Sequence, residues 1–119
     1  MKRLSGTRVL LIEDEAIIAS MVEDMLVELG ATVVGPALSI TKGLVLANSE
    51  GIDAAVLDVN IRSERVDPIA DLLRARHVPI VFATGYGTSA VGKGDNHPVI
   101  EKPYTLEKLA SALMTALKS

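Results

Sequence analysis

Short aliphatic runs alternate along the chain with longer segments in which apolar residues recur at helical spacing. The aliphatic runs show no polar alternation, which is typical of parallel strands covered on both faces. Five runs are predicted as strands: Val9–Ile12, Thr32–Gly35, Ala54–Leu57, Ile80–Ala83 and Val99–Ile100. A helical segment follows each strand, so the pattern predicts the order (βα)₅.

Local signals indicate where several of the helices begin and end. Gly30 follows the apolar stripe of the first helix, and glycine is favoured just beyond a helix end. Ser39 and Thr105 are predicted N-caps of the second and the last helix. Asp67 is predicted as the N-cap of the third helix. Pro68 is predicted as its first helical residue, because proline is favoured at the first position of a helix.

This order of elements favours one fold class, an α/β fold with a doubly wound, open, parallel five-stranded sheet in the order 2-1-3-4-5. Right-handed crossovers place the helices on both faces of such a sheet. The length of 119 residues suits a single domain with its own core, expected over 1–119 and structured from about residue 7 to 118. Sheets of this kind bind ligands outside the carboxyl ends of their strands, where the strand order reverses.

Acidic residues follow two strands that are neighbours in this order, and we expect Glu13, Asp14 and Asp58 to converge. Two carboxylates about 5 Å apart repel by about 3 kcal/mol at an effective dielectric of about 20. A helix N-terminus offsets only about 0.3–1 kcal/mol for each acid. A divalent cation would compensate the cluster, and oxygen ligands without any cysteine favour Mg²⁺ or Mn²⁺.

A hydroxyl and a lysine at two further strand ends suggest phosphoryl chemistry. Taken singly, Thr84 could be a capping residue, Lys102 a solvated lysine and Asp58 a turn residue. Taken together, an aspartate can act as a nucleophile that forms an aspartyl phosphate. The cation, Thr84 and Lys102 could each then take one of the three phosphoryl oxygens.

Composition excludes several other classes of function. The chain has no cysteine, which removes disulfides, thiol nucleophiles and Cys-ligated metals. The net charge is −3 and no basic stripe is present, so nucleic-acid binding is not expected. The apolar runs are strand-sized and no signal-type segment follows the N-terminus, which predicts a cytoplasmic domain without membrane contact.

The strand-end segments resemble those of receiver domains of two-component response regulators, and the resemblance covers essentially the whole chain. It implies a flavodoxin-like (βα)₅ fold and a signalling protein rather than an enzyme acting on other substrates. The segments that carry it are Val9–Glu15, Ala54–Asn60, Val81–Gly85 and Val99–Pro103.

The resemblance also implies a role for each site residue. Asp58 would be the phosphoacceptor and Asp14 a direct Mg²⁺ ligand. Glu13, where the family often has Asp, would act through a metal-bound water, and Asn60 would offer its backbone carbonyl to the ion. The threonine and the lysine keep the phosphoryl-binding roles given above.

The sequence departs from the family's pattern in two places, and both concern the residues that are expected to change conformation on phosphorylation, here called the switch. The family's switch aromatic lies three residues before the lysine, where this chain has Val99. The run Pro79–Tyr86 resembles the atypical FAT GUY subgroup, which lacks that aromatic and makes Tyr86 a candidate replacement. Pro103, in a bond that is commonly cis in the family, and Tyr104 are further switch candidates, since the three aromatic residues all lie in or beside this region.

The function predicted is that of a single-domain response regulator that receives a phosphoryl group at Asp58 from a sensor histidine kinase or a histidine phosphotransfer protein. Phosphorylation would bias a weak, glycine-rich helix over 88–94 and so change binding of a downstream protein, or the group would be relayed onward. A receiver-like interaction module with vestigial phosphorylation is the alternative.

Three other functions fit the residues less well. Flavin mononucleotide binding would place phosphate against the acids of the first loop. Dinucleotide binding would use a glycine-rich motif after the first strand, whereas the match in this chain, at residues 85–90, follows the fourth strand. An aspartate-nucleophile phosphatase expects an acid where Asn60 stands.

Overall fold

The structure is a computed structural model that describes residues 3–49, 51–61, 64–84, 99–102 and 104–118, with backbone alone described at 60 and 101. The predicted helix over 88–94 lies outside these ranges. In chain order the elements are β1 (Arg8–Ile12), α1 (Ala16–Glu28), β2 (Thr32–Ala37), α2 (Ile40–Ala47), β3 (Ala54–Asp58), β4 (Asn60–Ile61), β5 (Glu64–Arg65), α3 (Asp67–Ala75), β6 (Ile80–Thr84), β7 (Val99–Glu101) and α4 (Leu106–Lys118).

The main sheet has five parallel strands in the order β2-β1-β3-β6-β7. These strands are the predicted first to fifth strands, with β6 as the fourth and β7 as the fifth, so the predicted fold class is confirmed. Every residue of β3 and β6 is buried, which explains why the two runs are aliphatic without polar alternation.

Successive side chains of the strands enter two separate cores, one on each face of the sheet. Val9, Leu11 and Val56 pack with α1 and α4 on one face. Leu10 and Leu57 pack with α2 and α3 on the other. Because all five strands of this sheet run parallel, their carboxyl ends form one edge.

The helix signals are confirmed at three of the four predicted positions. Ser39 Oγ accepts from Lys42 N at 3.2 Å, and Thr105 Oγ1 accepts from Lys108 N at the same distance. Gly30 lies beyond α1 with a φ of 95°, a conformation that favours glycine.

The predicted N-cap of the third helix is one residue too late. Val66, not Asp67, is the N-cap of α3, because the Val66 carbonyl already accepts from the N–H groups of Ile69 and Ala70 at 3.0 and 3.1 Å. The Asp67 side chain forms an exposed ion pair with Arg65 instead, at 3.4 Å.

Two local features were not predicted. The segment after Asp58 forms a small antiparallel pair of β4 and β5. A register shift in the β1–β2 pairing is accommodated at Gly35, whose φ is 105°. A Cβ there would lie 2.8 Å from the Ala37 nitrogen, so only glycine fits.

Among the residues described, no helix is long and apolar enough to cross a membrane.

Candidate phosphoryl site

Four strands of the main sheet end at one edge, and the predicted site residues lie at these ends. Glu13 follows β1, Asp58 ends β3, Thr84 ends β6 and Lys102 follows β7. Backbone hydrogen bonds hold the ends together, since Lys102 N donates to Thr84 O at 2.8 Å and Glu13 N donates to Ala37 O at 3.0 Å. The side chains therefore converge from rigid elements.

Three carboxylates meet at this edge. Glu13, Asp14 and Asp58 each have an oxygen within 4.8 Å of the others. Glu13 is 2% exposed and Asp58 is 7% exposed, while Asp14 is half-buried. They meet because β1 pairs with β3 in a register that sets Ile12 beside Leu57, so the residues that follow are neighbours.

Lys102 lies between two of these acids. Its Nζ is 2.6 Å from Glu13 Oε1 and 2.9 Å from Asp58 Oδ2. The lysine side chain is 13% exposed, so both ion pairs are largely withdrawn from water. The lysine therefore compensates part of the negative charge of the cluster.

Burial has opposite effects on the two ends of the Glu13–Lys102 pair. The pKa of Glu13 is raised to about 7, mainly by burial and to a smaller extent by the Asp58 charge, against the hydrogen bonds from Lys102 and from the Glu15 backbone. Burial lowers the pKa of Lys102, but its hydrogen bonds to Glu13 and Asp58 outweigh that effect and the net pKa is raised. Lys102 is therefore charged at neutral pH.

Thr84 and Asn60 belong to segments next to Asp58. Thr84 is 1% exposed at the end of β6, one residue beyond Ala83, which pairs with Asp58. Asn60 begins β4 two residues after Asp58, and its backbone pairs with that of Arg65. Thr84 is thus held at the carboxyl edge by pairing in the main sheet, and Asn60 lies two residues beyond that edge in the separate β4–β5 pair.

Of the switch candidates, Val99 and Tyr104 lie in the described ranges, whereas Tyr86 and Pro103 lie outside them. Val99 pairs with Phe82 across the last two strands. Tyr104 is 9% exposed, and burial together with the charges of Glu13 and Asp58 raises its pKa. The tyrosine ring is therefore close to the site.

Sequence reasoning missed two features of the site. The backbone N–H of Glu15 donates to Glu13 Oε2 at 3.1 Å and orients that carboxylate. The stripe of α1 that predicts core contacts also lines a groove next to Lys102 and Tyr104. Met21 is 52% exposed and Ile18 and Met25 are half-buried, and a helical period does not reveal these differences in exposure.

The donor set fits a hard divalent cation. Mg²⁺ prefers octahedral oxygen ligands at about 2.0–2.1 Å, so opposite ligand oxygens lie about 4 Å apart. The spread of 4.8 Å among the three carboxylates is close to that requirement.

The chain is similar over its full length to a solved structure, that of SdrG from Sphingomonas melonis Fr1. Identity is 42%, all of both chains is covered and the TM-score is 0.85. A second structure, the BeF3-activated conformation of SdrG from Pseudomonas melonis Fr1, is 41% identical, with 95% of this chain and 98% of that chain covered and a TM-score of 0.79.

Two further relatives come from other bacteria. A response regulator receiver protein from Sinorhizobium medicae is 26% identical, with 98% of each chain covered and a TM-score of 0.85. The phyllosphere-induced regulator PhyR from Methylorubrum extorquens is 29% identical over 117 residues, covering 94% of this chain. The chain spans 44% of the length of this curated relative. No protein-family model matches the chain.

The five-stranded sheet, the convergent strand ends and these similarities define a response-regulator receiver domain, and the chain belongs to that family. Its likeness to SdrG and PhyR fits the resemblance to the FAT GUY subgroup. Receiver domains of this kind are two-component signalling proteins and not enzymes in the usual sense.

Proposed function

We propose that the chain is a single receiver domain over 1–119 that accepts a phosphoryl group at Asp58 from a phosphohistidine donor, in a Mg²⁺-dependent reaction. The observation that carries this proposal is the position of the Asp58 carboxylate. It lies 2.9 Å from the Lys102 ammonium and within 4.8 Å of two further carboxylates, at the edge where such sheets bind ligands.

In the proposed step, an Asp58 carboxylate oxygen attacks phosphorus, a P–O bond forms and the P–N bond to the donor imidazole breaks. The leaving nitrogen keeps the electron pair and takes up a proton from solvent. Lys102 Nζ is placed to pair with a phosphoryl oxygen, because it already lies against the attacked carboxylate. The Thr84 hydroxyl would donate a hydrogen bond to another phosphoryl oxygen.

Asp14 and Asp58 would hold Mg²⁺ directly, with the Asn60 carbonyl and with Glu13 through water. When bound, the ion would neutralise charge on the phosphoryl oxygens. The convergence of three carboxylates supports this assignment, since a divalent cation stabilises such a cluster of acids.

The donor would be a sensor histidine kinase or a histidine phosphotransfer protein, and the output would pass to a downstream protein or by relay. Val99 cannot act as a switch ring, which leaves Tyr86, Pro103 and Tyr104 as candidates. Burial beside the carboxylates favours Tyr104 among the described residues.

The test is to incubate the protein with acetyl phosphate and Mg²⁺ and to measure its intact mass. We expect a gain of about 80 Da that hydroxylamine removes, as an acyl phosphate requires. Asp58→Asn should show no gain. Asp53→Asn is the matched control, because Asp53 precedes the opposite end of the same strand, where its carboxylate accepts from Arg8 N.

Labelling of Asp58→Asn at the wild-type level would contradict the proposal. No mass gain in the folded wild-type protein under any Mg²⁺ concentration would favour a receiver-like interaction module with vestigial phosphorylation.

A further inference from the structure

The sulfur chemistry of this chain lies in its methionines, because the sequence contains four methionines and no cysteine. Three of them, Met21, Met25 and Met114, lie in the described ranges. Met21 is 52% exposed, whereas Met25 and Met114 are partly buried against the core beside α1 and α4. Oxidation follows exposure of the sulfur, so Met21 is the thioether of these three that an oxidant reaches first.

Met21 lines a groove of about 340 Å³ that adjoins the phosphoryl site. Met21 and Met25 contribute to the groove from α1, one helical turn apart, and Lys102 and Tyr104 contribute from the segment that follows β7. Helical side chains tilt toward the N-terminus of their helix, and α1 begins two residues after Asp14, at the carboxyl edge of the sheet. The Met21 side chain therefore leans toward the phosphoryl site.

Lys102 brings a hydrogen-bond donor to this groove. Its ammonium has three donors, and the carboxylates of Glu13 and Asp58 lie 2.6 and 2.9 Å from Nζ. With two carboxylate partners in the described part of the chain, the ammonium can accommodate a further acceptor. A thioether sulfur is only a weak acceptor, whereas a sulfoxide oxygen is polar and gains a charge-assisted hydrogen bond from an ammonium.

We propose that Met21 is an oxidative modification site, at which hydrogen peroxide converts the thioether to a sulfoxide whose oxygen accepts a hydrogen bond from Lys102. In this step the sulfur attacks one oxygen of the peroxide, an S–O bond forms and the O–O bond breaks. The departing hydroxide keeps the bonding electron pair and takes the proton of the transferred hydroxyl, which gives water. Sulfur is oxidised by two electrons and the peroxide is reduced.

The modification acts on the phosphoryl site through Lys102. An ammonium that also donates to the sulfoxide has less hydrogen-bonding capacity for Asp58 and for a phosphoryl oxygen, so oxidation slows phosphorylation of Asp58. This consequence rests on the proposed function. Formation of the sulfoxide and its bond to Lys102 do not.

The first experiment treats the full chain with a limiting amount of hydrogen peroxide and follows each methionine by peptide mass. We expect a gain of about 16 Da at Met21 before Met25 and Met114, and methionine sulfoxide reductase should remove it. Met21→Leu should lose this first gain. Met25→Leu is the matched control, since it lines the same groove one turn further along α1 and should keep the gain at Met21. Equal rates at Met21 and Met114 would overturn the site.

The second experiment observes the Lys102 Cε and Nζ signals by NMR in the same samples. We expect both signals to shift when the wild type or Met25→Leu is oxidised, and to stay in place in peroxide-treated Met21→Leu. Tyr104→Phe removes the other side-chain donor that lines the groove, so a shift that persists there supports Lys102 as the donor. An equal shift in Met21→Leu, or a shift lost in Tyr104→Phe, would overturn the bond.

The third experiment compares acetyl phosphate labelling before and after peroxide treatment. Oxidised wild type should be labelled about fivefold more slowly, as expected when one hydrogen bond is redirected, and Met21→Leu should keep its rate. Equal slowing in both proteins, or no slowing in the wild type, would overturn the effect on phosphorylation. Absence of labelling in the untreated protein would count against the proposed function alone, because the Lys102 signals test the sulfoxide independently.

Discussion

At Glu13, burial of the side chain opposes ionisation of its carboxyl group. Its carboxylate is 2% exposed, contacts Lys102 at 2.6 Å and has a pKa raised to about 7, first by burial and then by Asp58. The folded protein therefore holds a proton on Glu13 in a pH range where the unfolded chain, with a pKa near 4.5, has lost it.

The sign of the resulting pH dependence follows. Between about pH 5 and 7 the folded state binds more protons than the unfolded state, so in EDTA the free energy of unfolding should fall by about 2 kcal/mol as pH rises through this window. Urea denaturation at several pH values measures the slope. Glu13→Gln removes the titrating group, and a slope of undiminished size in that variant would contradict the assignment to Glu13.

At the scale of elements, the close approach of α2 to the sheet and to α3 depends on Gly43. A Cβ at this position would lie 2.5 Å from Ile69 Cδ1 and 3.1 Å from Ile12 Cδ1. Both isoleucines are fully buried in the core under α2 and α3, so their methyl groups have little space into which to move. Helix propensity and packing therefore oppose each other at this residue.

We expect packing to outweigh propensity. Gly43→Ala should lower the free energy of unfolding by about 1 kcal/mol, since overpacking costs about 1–3 kcal/mol and alanine restores up to about 1 kcal/mol of helix propensity. Thr41→Ala, on the exposed side of the same helix, should be neutral or slightly stabilising. Chemical denaturation compares the free energy of unfolding of the wild-type protein and the two variants. A higher value for Gly43→Ala than for the wild type would show that the side chains under α2 can move to make room for the added methyl group.

Most elements could be predicted because their signals are local. Capping by Ser39 and Thr105 depends on a few neighbouring residues, and both caps are present. The start of α3 was predicted one residue late, because the first turn is set by the Val66 carbonyl and not by the residue type of Asp67. The β4–β5 pair gave no sequence signal, since each of its strands has only two residues.

At the scale of the whole molecule, the proposed site joins four strand ends, so its occupancy should affect global stability. A ligand that binds only the folded state stabilises it by about 2.7 kcal/mol at a hundred times its dissociation constant. Mg²⁺ should therefore raise the melting temperature, and EDTA should reverse the effect.

Asp14→Asn should abolish most of this thermal shift, because it removes one of the three carboxylates within 4.8 Å. Asp53→Asn, which lies at the opposite edge of the sheet, should leave it intact. A thermal shift of equal size in Asp14→Asn would remove Asp14 from the proposed metal site.

The sequence by itself determined the order of elements, the class of sheet and the residue types at each strand end, because hydrophobic periodicity and capping act over short stretches of chain. Tertiary structure alone decided that Lys102 lies between Glu13 and Asp58, and that part of the α1 stripe faces a groove beside Tyr104. These contacts join residues far apart in the chain, so they depend on how the strands pair and how α1 packs, which no local pattern encodes.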